Sequence, residues 1–201
     1  MPSATRPVTK RMPKAERHEQ LLETAMSIIG AHGADALTLG FLAEQAGVSK
    51  PVAYEHFGTR SALLIELYRR IDDRQADELL HALEHAPRRL NDVARVLSVA
   101  YLTCHRTAGP EWHAISAALK GSPEMDAVQQ DLADRCIGIF RDALAPYSAL
   151  SRDELHVRCI GIVGAAEALS QRMAHRRIAE TTAVANLAAL ITGGMDPKPP
   201  I

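Results

Sequence analysis

Between Thr38 and Phe57 the chain reads TLGFLAEQAGVSKPVAYEHF, and this stretch narrows the fold more than any other. Leu39, Leu42, Ala43 and Ala46 fall at i, i+3, i+4 and i+7, the spacing of a one-faced helix, and Thr38 stands where a hydroxyl can cap it. Gly47 ends that helix, since glycine enters the left-handed region at a C-terminus without a Cβ penalty. Ser49 can cap the next helix, and Pro51 lies in its first turn, where a missing N–H removes no bond. Two short helices meeting through a tight glycine turn form a helix-turn-helix. In that arrangement Ala53 and Phe57 pack inward with Val48. Lys50, Pro51, Val52, Tyr54 and His56 are left around the N-terminal and outer surface.

The flanking sequence is helical as well. Leu21, Leu22, Ala25, Ile28 and Ile29 recur at helical spacing up to Gly33, and Leu63, Leu64, Leu67, Tyr68 and Ile71 form the stripe of a longer helix from Thr59 to about Ala86. Further helical patterns run through 88–107, 111–120, 123–145, 151–176 and 182–192. Gly109-Pro110, Gly121-Ser122-Pro123 and Pro146 punctuate them, and Ser151 to Glu154 has the form of a capping box. With 47% hydrophobic and only 4% aromatic residues, and few β-branched runs, the fold class expected is all-α. The division expected is a basic arm at 1–13 bearing Arg6, Lys10 and Arg11, a three-helix head at 14–60, a larger helical domain at 61–195, and a flexible tail at 196–201.

A helix from Ser49 to His56 is roughly 10 to 12 Å long, about the width of a DNA major groove. Its N-terminus carries open N–H groups and the positive end of the helix dipole, and Lys50 adds a full charge there. Lysine can donate to guanine O6 or N7, and Pro51 and Val52 can touch a thymine methyl. Tyr54 and His56 can donate to phosphate, as can Thr38 and Arg60 at the starts of the flanking helices. A formal net charge of -1 argues against polyanion binding by the whole surface and confines it to such a patch.

Residues 38–64 resemble the N-terminal signature of the TetR family of bacterial transcriptional regulators. The agreement lies in Thr38, Leu42-Ala43, the Gly47-Val48-Ser49 turn, Tyr54-x-His56-Phe57, and the basic residue and Leu63-Leu64 that open the next helix. The resemblance implies an N-terminal three-helix helix-turn-helix DNA-binding domain and a C-terminal helical ligand-binding and dimerisation domain. It further implies a homodimer through the last two long helices, and release of a pseudo-palindromic operator in double-stranded DNA when a small-molecule effector fills the cavity and shifts the linking helix. Carried over by position, Lys50, Pro51, Val52 and Tyr54 read the groove while Thr38, Ser49, His56 and Arg60 lie nearer phosphate. Gly40, Val52 and Ala53 depart from the family's usual residues, which bears on base readout.

Beyond the head the residues are less specific. Tyr101, Cys104 and His105 lie on one helix, and Trp112, Phe140 and Gln171 are further candidates for an effector cavity, as are His81, His113, Met125, Glu167 and Met173. Neither a metal nor another cofactor is expected, since adjacent helical residues such as Cys104 and His105 diverge by about 100°. The small residues of 161–168, with Ala183, Leu187, Leu190 and Ile191, are expected to face a second subunit; an intrachain contact is the alternative. Three separated cysteines and the lack of a run of about 18 apolar residues suit a soluble cytoplasmic protein without membrane contact. No nucleophile elbow or phosphate loop is present, so no catalytic residue is assigned. A helical small-molecule-binding protein or enzyme that never meets DNA is the competing reading.

Overall fold

The computed structural model describes residues 12–107 and 109–195 of the chain. Most of the basic arm and the whole tail lie outside the described residues. Among the described residues there are nine α-helices and no strand: α1 (Lys14–His32), α2 (Leu39–Gln45), α3 (Lys50–Phe57), α4 (Arg60–Glu84), α5 (Leu90–Thr107), α6 (Gly109–Ala118), α7 (Pro123–Leu144), α8 (Arg152–Ala174) and α9 (Glu180–Gly194). The chain divides into two compact units after Leu67, inside α4, seven residues beyond the boundary expected from sequence.

The head is built on buried Leu21, Leu22, Ala25, Ile28 and Ile29 of α1, Leu39, Leu42 and Ala43 of α2, and Ala53 and Phe57 of α3. Thr38 caps α2 by accepting the Phe41 N–H at 3.1 Å. At the other end of α2, Gly47 takes φ +66, its N–H bonds Glu44 O at 3.1 Å, and the Val48 N–H reaches back to Ala43 O at 2.9 Å. That pair of bonds is a Schellman ending, which satisfies α2's last carbonyls and turns the chain straight into α3. Ser49 is the N-cap residue of α3, but its hydroxyl makes no capping bond, contrary to the expectation above. Gly58 at φ +68 closes α3, and Thr59 caps α4 by accepting the Ala62 N–H at 3.0 Å.

In the second unit, α5 packs on α7, α8 and α9. Val93, Ala94 and Leu97 of α5, Phe140 and Leu144 of α7, Leu155, Cys159 and Ile162 of α8, and Leu187 and Ile191 of α9 share one core. The capping box forms as its sequence indicates, with Ser151 accepting the Glu154 N–H and Glu154 accepting the Ser151 N–H at 3.0 Å. The four α9 residues expected to face a second subunit do not share one environment. Ala183, Leu187 and Ile191 are buried in this chain's own core, and of the four residues named only Leu190 is exposed. Positions four apart make one stripe, and α9 spends that stripe on α5 and α8. The small residues of α8 behave differently. Gly161 and Gly164 face outward, and a Cβ at either would meet nothing within 4 Å.

Replacing Gly47 with Ala places a side chain in the left-handed region, so chemical denaturation of the G47A variant is expected to show the head destabilised by about 1 kcal/mol.

Candidate nucleic-acid interface and effector cavity

The orientation of α3 follows from its two buried residues. Ala53 and Phe57 sit on one side, so Pro51, Tyr54 and Glu55 emerge on the other, and Lys50 is exposed as the first residue. Tyr54 is 54% exposed, too open to be a core residue. Val52 is half-buried. The first turn of α3 holds no carboxylate, so the positive pole of the helix is not neutralised from within its own sequence. The Lys50 side chain lies over Gly40, where an added Cβ would stand 3.5 Å from its Cε, 3.9 Å from its Nζ and 3.9 Å from the Thr38 hydroxyl. An ammonium and a hydroxyl thus flank one point at the start of α2.

Two residues expected near phosphate also have partners within the head. Arg60 donates from Nε to Leu37 O at 2.7 Å and from Nη2 to Ala34 O at 2.8 Å, with the Asp35 carboxylate 3.8 Å away. It ties the start of α4 to the turn before α2. The His56 ring turns toward α1, where its Nδ1 lies 3.1 Å from His18 Nδ1, while His18 Nε2 meets the Glu66 carboxylate of α4. Where two ring nitrogens meet in this way, only one of them carries the proton between them. Burial first, then the charges of His18 and Lys14, lower the His56 pKa. Sequence periodicity places His56 beside the core stripe but does not reveal which neighbour meets it; the Arg60 clamp likewise needs the carbonyls of a turn that periodicity does not describe. The groups left facing outward are Thr38, Ser49, Lys50, Pro51 and Tyr54, with Val52 at their edge.

The second unit encloses a cavity of about 410 Å³ lined by residues of α4 to α8. Tyr101, Cys104 and Trp112 line it, as does Glu167. Phe140 does not: it is fully buried in the core, where its ring meets Tyr101 edge-on at 6.1 Å. Gln171 is exposed one turn beyond Glu167 and bonds it at 3.2 Å without reaching the wall. The His105 side chain lies outside what is described. Of the remaining candidates, Met125 is buried away from the lining, while His81, His113 and Met173 are also absent from it.

Sequence reasoning missed Tyr68, Asp72, Gln75, Gln129, Arg135 and Cys136, which belong to the wall. The spacing of Tyr68, Asp72 and Gln75 on α4 is a helical stripe, so only their polarity marked them out. Tyr68 stacks on Trp112 at 5.5 Å, and burial pushes its hydroxyl up to about 12. Burial likewise raises the Cys136 thiol to about 12, keeping it protonated and unreactive near neutrality. Arg135 lies 3.6 Å from Asp72 and closer still to Asp73, and the Asp73 hydrogen bond is the main reason its pKa is raised. No cluster of three metal-ligating side chains exists among the described residues.

Residues 21–67 match the family model described as "Bacterial regulatory proteins, tetR family". Over 90 residues, 45% of this chain and 39% of the relative, the sequence is 36% identical to the HTH-type transcriptional activator FasR of Mycolicibacterium smegmatis. Over 85 residues, 42% of each chain, it is 29% identical to the HTH-type transcriptional regulator BetI of Rhizobium meliloti. The chain thus spans about two fifths of the length of these curated relatives. The fold is similar to that of a tetR-family transcriptional regulator from Streptomyces coelicolor, with TM-score 0.64, 22% identity, and coverage of 91% of this chain and 83% of that one.

A lowered His56 pKa fixes the sign of a pH effect. Below its ordinary value of 6.5 the unfolded chain takes up the proton first, so the contribution is whole above that value and is lost as pH falls through the folded pKa. Thermal melts followed from about pH 8 to about pH 5 should show the wild type losing stability relative to His56→Asn. Separately, Arg60→Ala should cost about 2 kcal/mol in denaturant unfolding, because two carbonyls lose a charged donor. Arg60→Lys should not restore it, since an ammonium cannot reproduce the fork.

Proposed function

We propose, from the match of residues 21–67 to the tetR family of bacterial regulatory proteins, that the chain is a homodimeric, DNA-binding transcriptional regulator of that family. In this reading it is a repressor that leaves a pseudo-palindromic operator when a small molecule fills the cavity of its second unit. The observation that carries the reading is the tip of α3: Lys50, Pro51 and Tyr54 are turned out while Ala53 and Phe57 are sealed in. A packing helix would have no reason to expose a tyrosine beside an uncompensated positive helix end. Lys50 and Tyr54 would meet base edges and adjoining phosphates, Pro51 and Val52 would offer apolar contact, and Thr38 and Ser49 would hold phosphate. Arg60 and His56 would act through the shape of the head.

Dimerisation has a candidate surface in the outward side of α8 and α9. Val157 is 67% exposed, and Ile160, Gly161 and Gly164 continue the same face; Leu190 is exposed on α9. A second copy laid on this face would bury side chains that cost free energy in water, and the two glycines permit close helix approach. Two-fold symmetry would then place the heads on half-sites about one DNA turn apart or a multiple of it. The link between effector and operator would be α4, which supplies Leu63, Leu64 and Leu67 to the head core and Tyr68, Asp72 and Gln75 to the cavity wall. The protein would work in the cytoplasm, where the operator is.

Selection of bound fragments from genomic DNA with the purified chain should return a two-fold symmetric site. Lys50→Ala and Tyr54→Ala should each weaken binding to it by about tenfold or more while the circular dichroism spectrum and melting curve stay unchanged. Binding should fall steeply with added salt. Retained affinity in both variants, or no affinity for any duplex, would overturn the proposal. Stronger transcription in the presence of the protein would make it an activator.

A further inference from the structure

The charges around the cavity do not balance. Among the described residues its lining carries two carboxylates, Asp72 and Glu167, and one cation, Arg135. Arg135 is already committed: it is paired with Asp73 at hydrogen-bonding distance and with Asp72 at 3.6 Å. Glu167 is different. Its oxygens are met by neutral donors, the Tyr101 hydroxyl at 3.5 Å and the Gln171 amide at 3.2 Å, and it forms no salt bridge with a described residue. The same lining carries the stacked pair Tyr68 and Trp112 and also Tyr101, aromatic rings whose electron-rich faces attract cations. The rest of the wall includes apolar side chains such as Leu79, Ile139 and Val163.

Resting on the effector-cavity reading above, we infer that the cavity takes an organic cation, with an ammonium group beside Glu167 and an apolar or aromatic body against Tyr68, Tyr101 and Trp112. A volume of about 410 Å³ holds a molecule of that kind and falls at the small end of ordinary ligand sites. A carboxylate ligand fits the wall less well. Its negative group would meet Asp72 and Glu167, and the one guanidinium that could receive it would have to leave two aspartates. A neutral ligand would gain nothing from the Glu167 charge, which is exposed and stays hydrated beside it. Charge selection at Glu167 is thus what distinguishes this site from a general apolar pocket.

The test uses the full chain and the fluorescence of Trp112, its single tryptophan, which reports occupancy of the cavity without reference to DNA. Three probes share a benzene ring: benzyltrimethylammonium, its uncharged isostere neopentylbenzene, and 4-phenylbutyrate. The cation should change Trp112 emission saturably and bind at least about tenfold more tightly than either of the others. Glu167→Gln should remove that preference while leaving the melting curve and the weak neutral binding in place, and Glu167→Asp should restore part of it. The inference is overturned if the carboxylate or the neutral probe binds as well as the cation, if none of the three changes Trp112 emission, or if Glu167→Gln binds the cation like the wild type. Adding operator separates the two readings. Cation binding that leaves DNA affinity unchanged keeps the ligand class and refutes the effector role, whereas DNA binding without cation binding does the reverse.

Discussion

Burial of Ala53 and Phe57 in the head is the constraint on which the rest depends. A helix of eight residues has little more than two turns, so fixing two side chains one turn apart fixes its rotation about its own axis. Burying Phe57 stabilises by roughly 2 to 3 kcal/mol. An ion pair between α1 and α3, Lys14 to Glu55 at 3.3 Å, joins side chains that are 72% and 64% exposed, and such pairs contribute about 0 to 1 kcal/mol. Apolar burial therefore sets the rotation of α3, and the polar contacts trim it. Whatever Lys50 and Tyr54 touch is decided by what Phe57 buries.

Polar groups around that core divide into those that hold and those that are offered. Arg60 holds two turn carbonyls, and its own side chain is 35% exposed, so the bonds compete with water on one flank only. His18 links α3 to α4 by using both ring nitrogens, one toward His56 and one toward Glu66. This explains why basic and aromatic residues in one short segment take opposite roles. A side chain whose flank of α3 is covered by α1 becomes structural, and one on the open flank is free to meet a ligand.

That distinction marks how far the sequence could be read. The helices, the Gly47 turn, the Thr38 cap and the Ser151-Glu154 box are local patterns of spacing and φ requirement, and the structure has them within a few residues of the positions expected. The outward set of α3 was legible for the same reason. The intrachain partners of His56 and Arg60 were not legible, because they lie 38 and 23 residues away, where periodicity carries no information. The stripe of Ala183, Leu187 and Ile191 was visible, but an apolar stripe does not say whether its cover is the same chain or another. Phe140 and Gln171 failed as cavity residues for a related reason: helical phase narrows the face a residue occupies without fixing the depth at which it ends.

The cavity was the least legible part, and α4 shows why. Tyr68, Asp72 and Gln75 look like one side of an amphipathic helix in which the tyrosine belongs to a core and the other two to solvent. In the structure all three face one space, with Trp112 stacked on Tyr68 and Arg135 drawn to Asp72. Burial raises the Asp72 pKa, and the neighbouring guanidinium opposes that rise. Once Asp72 and Asp73 have taken the one cation that the described residues bring to the lining, further charge selection falls to Glu167 on α8. A polar residue inside a helical stripe is therefore best judged by which other charges share its cavity. That sum can be taken only after the helices have been brought together.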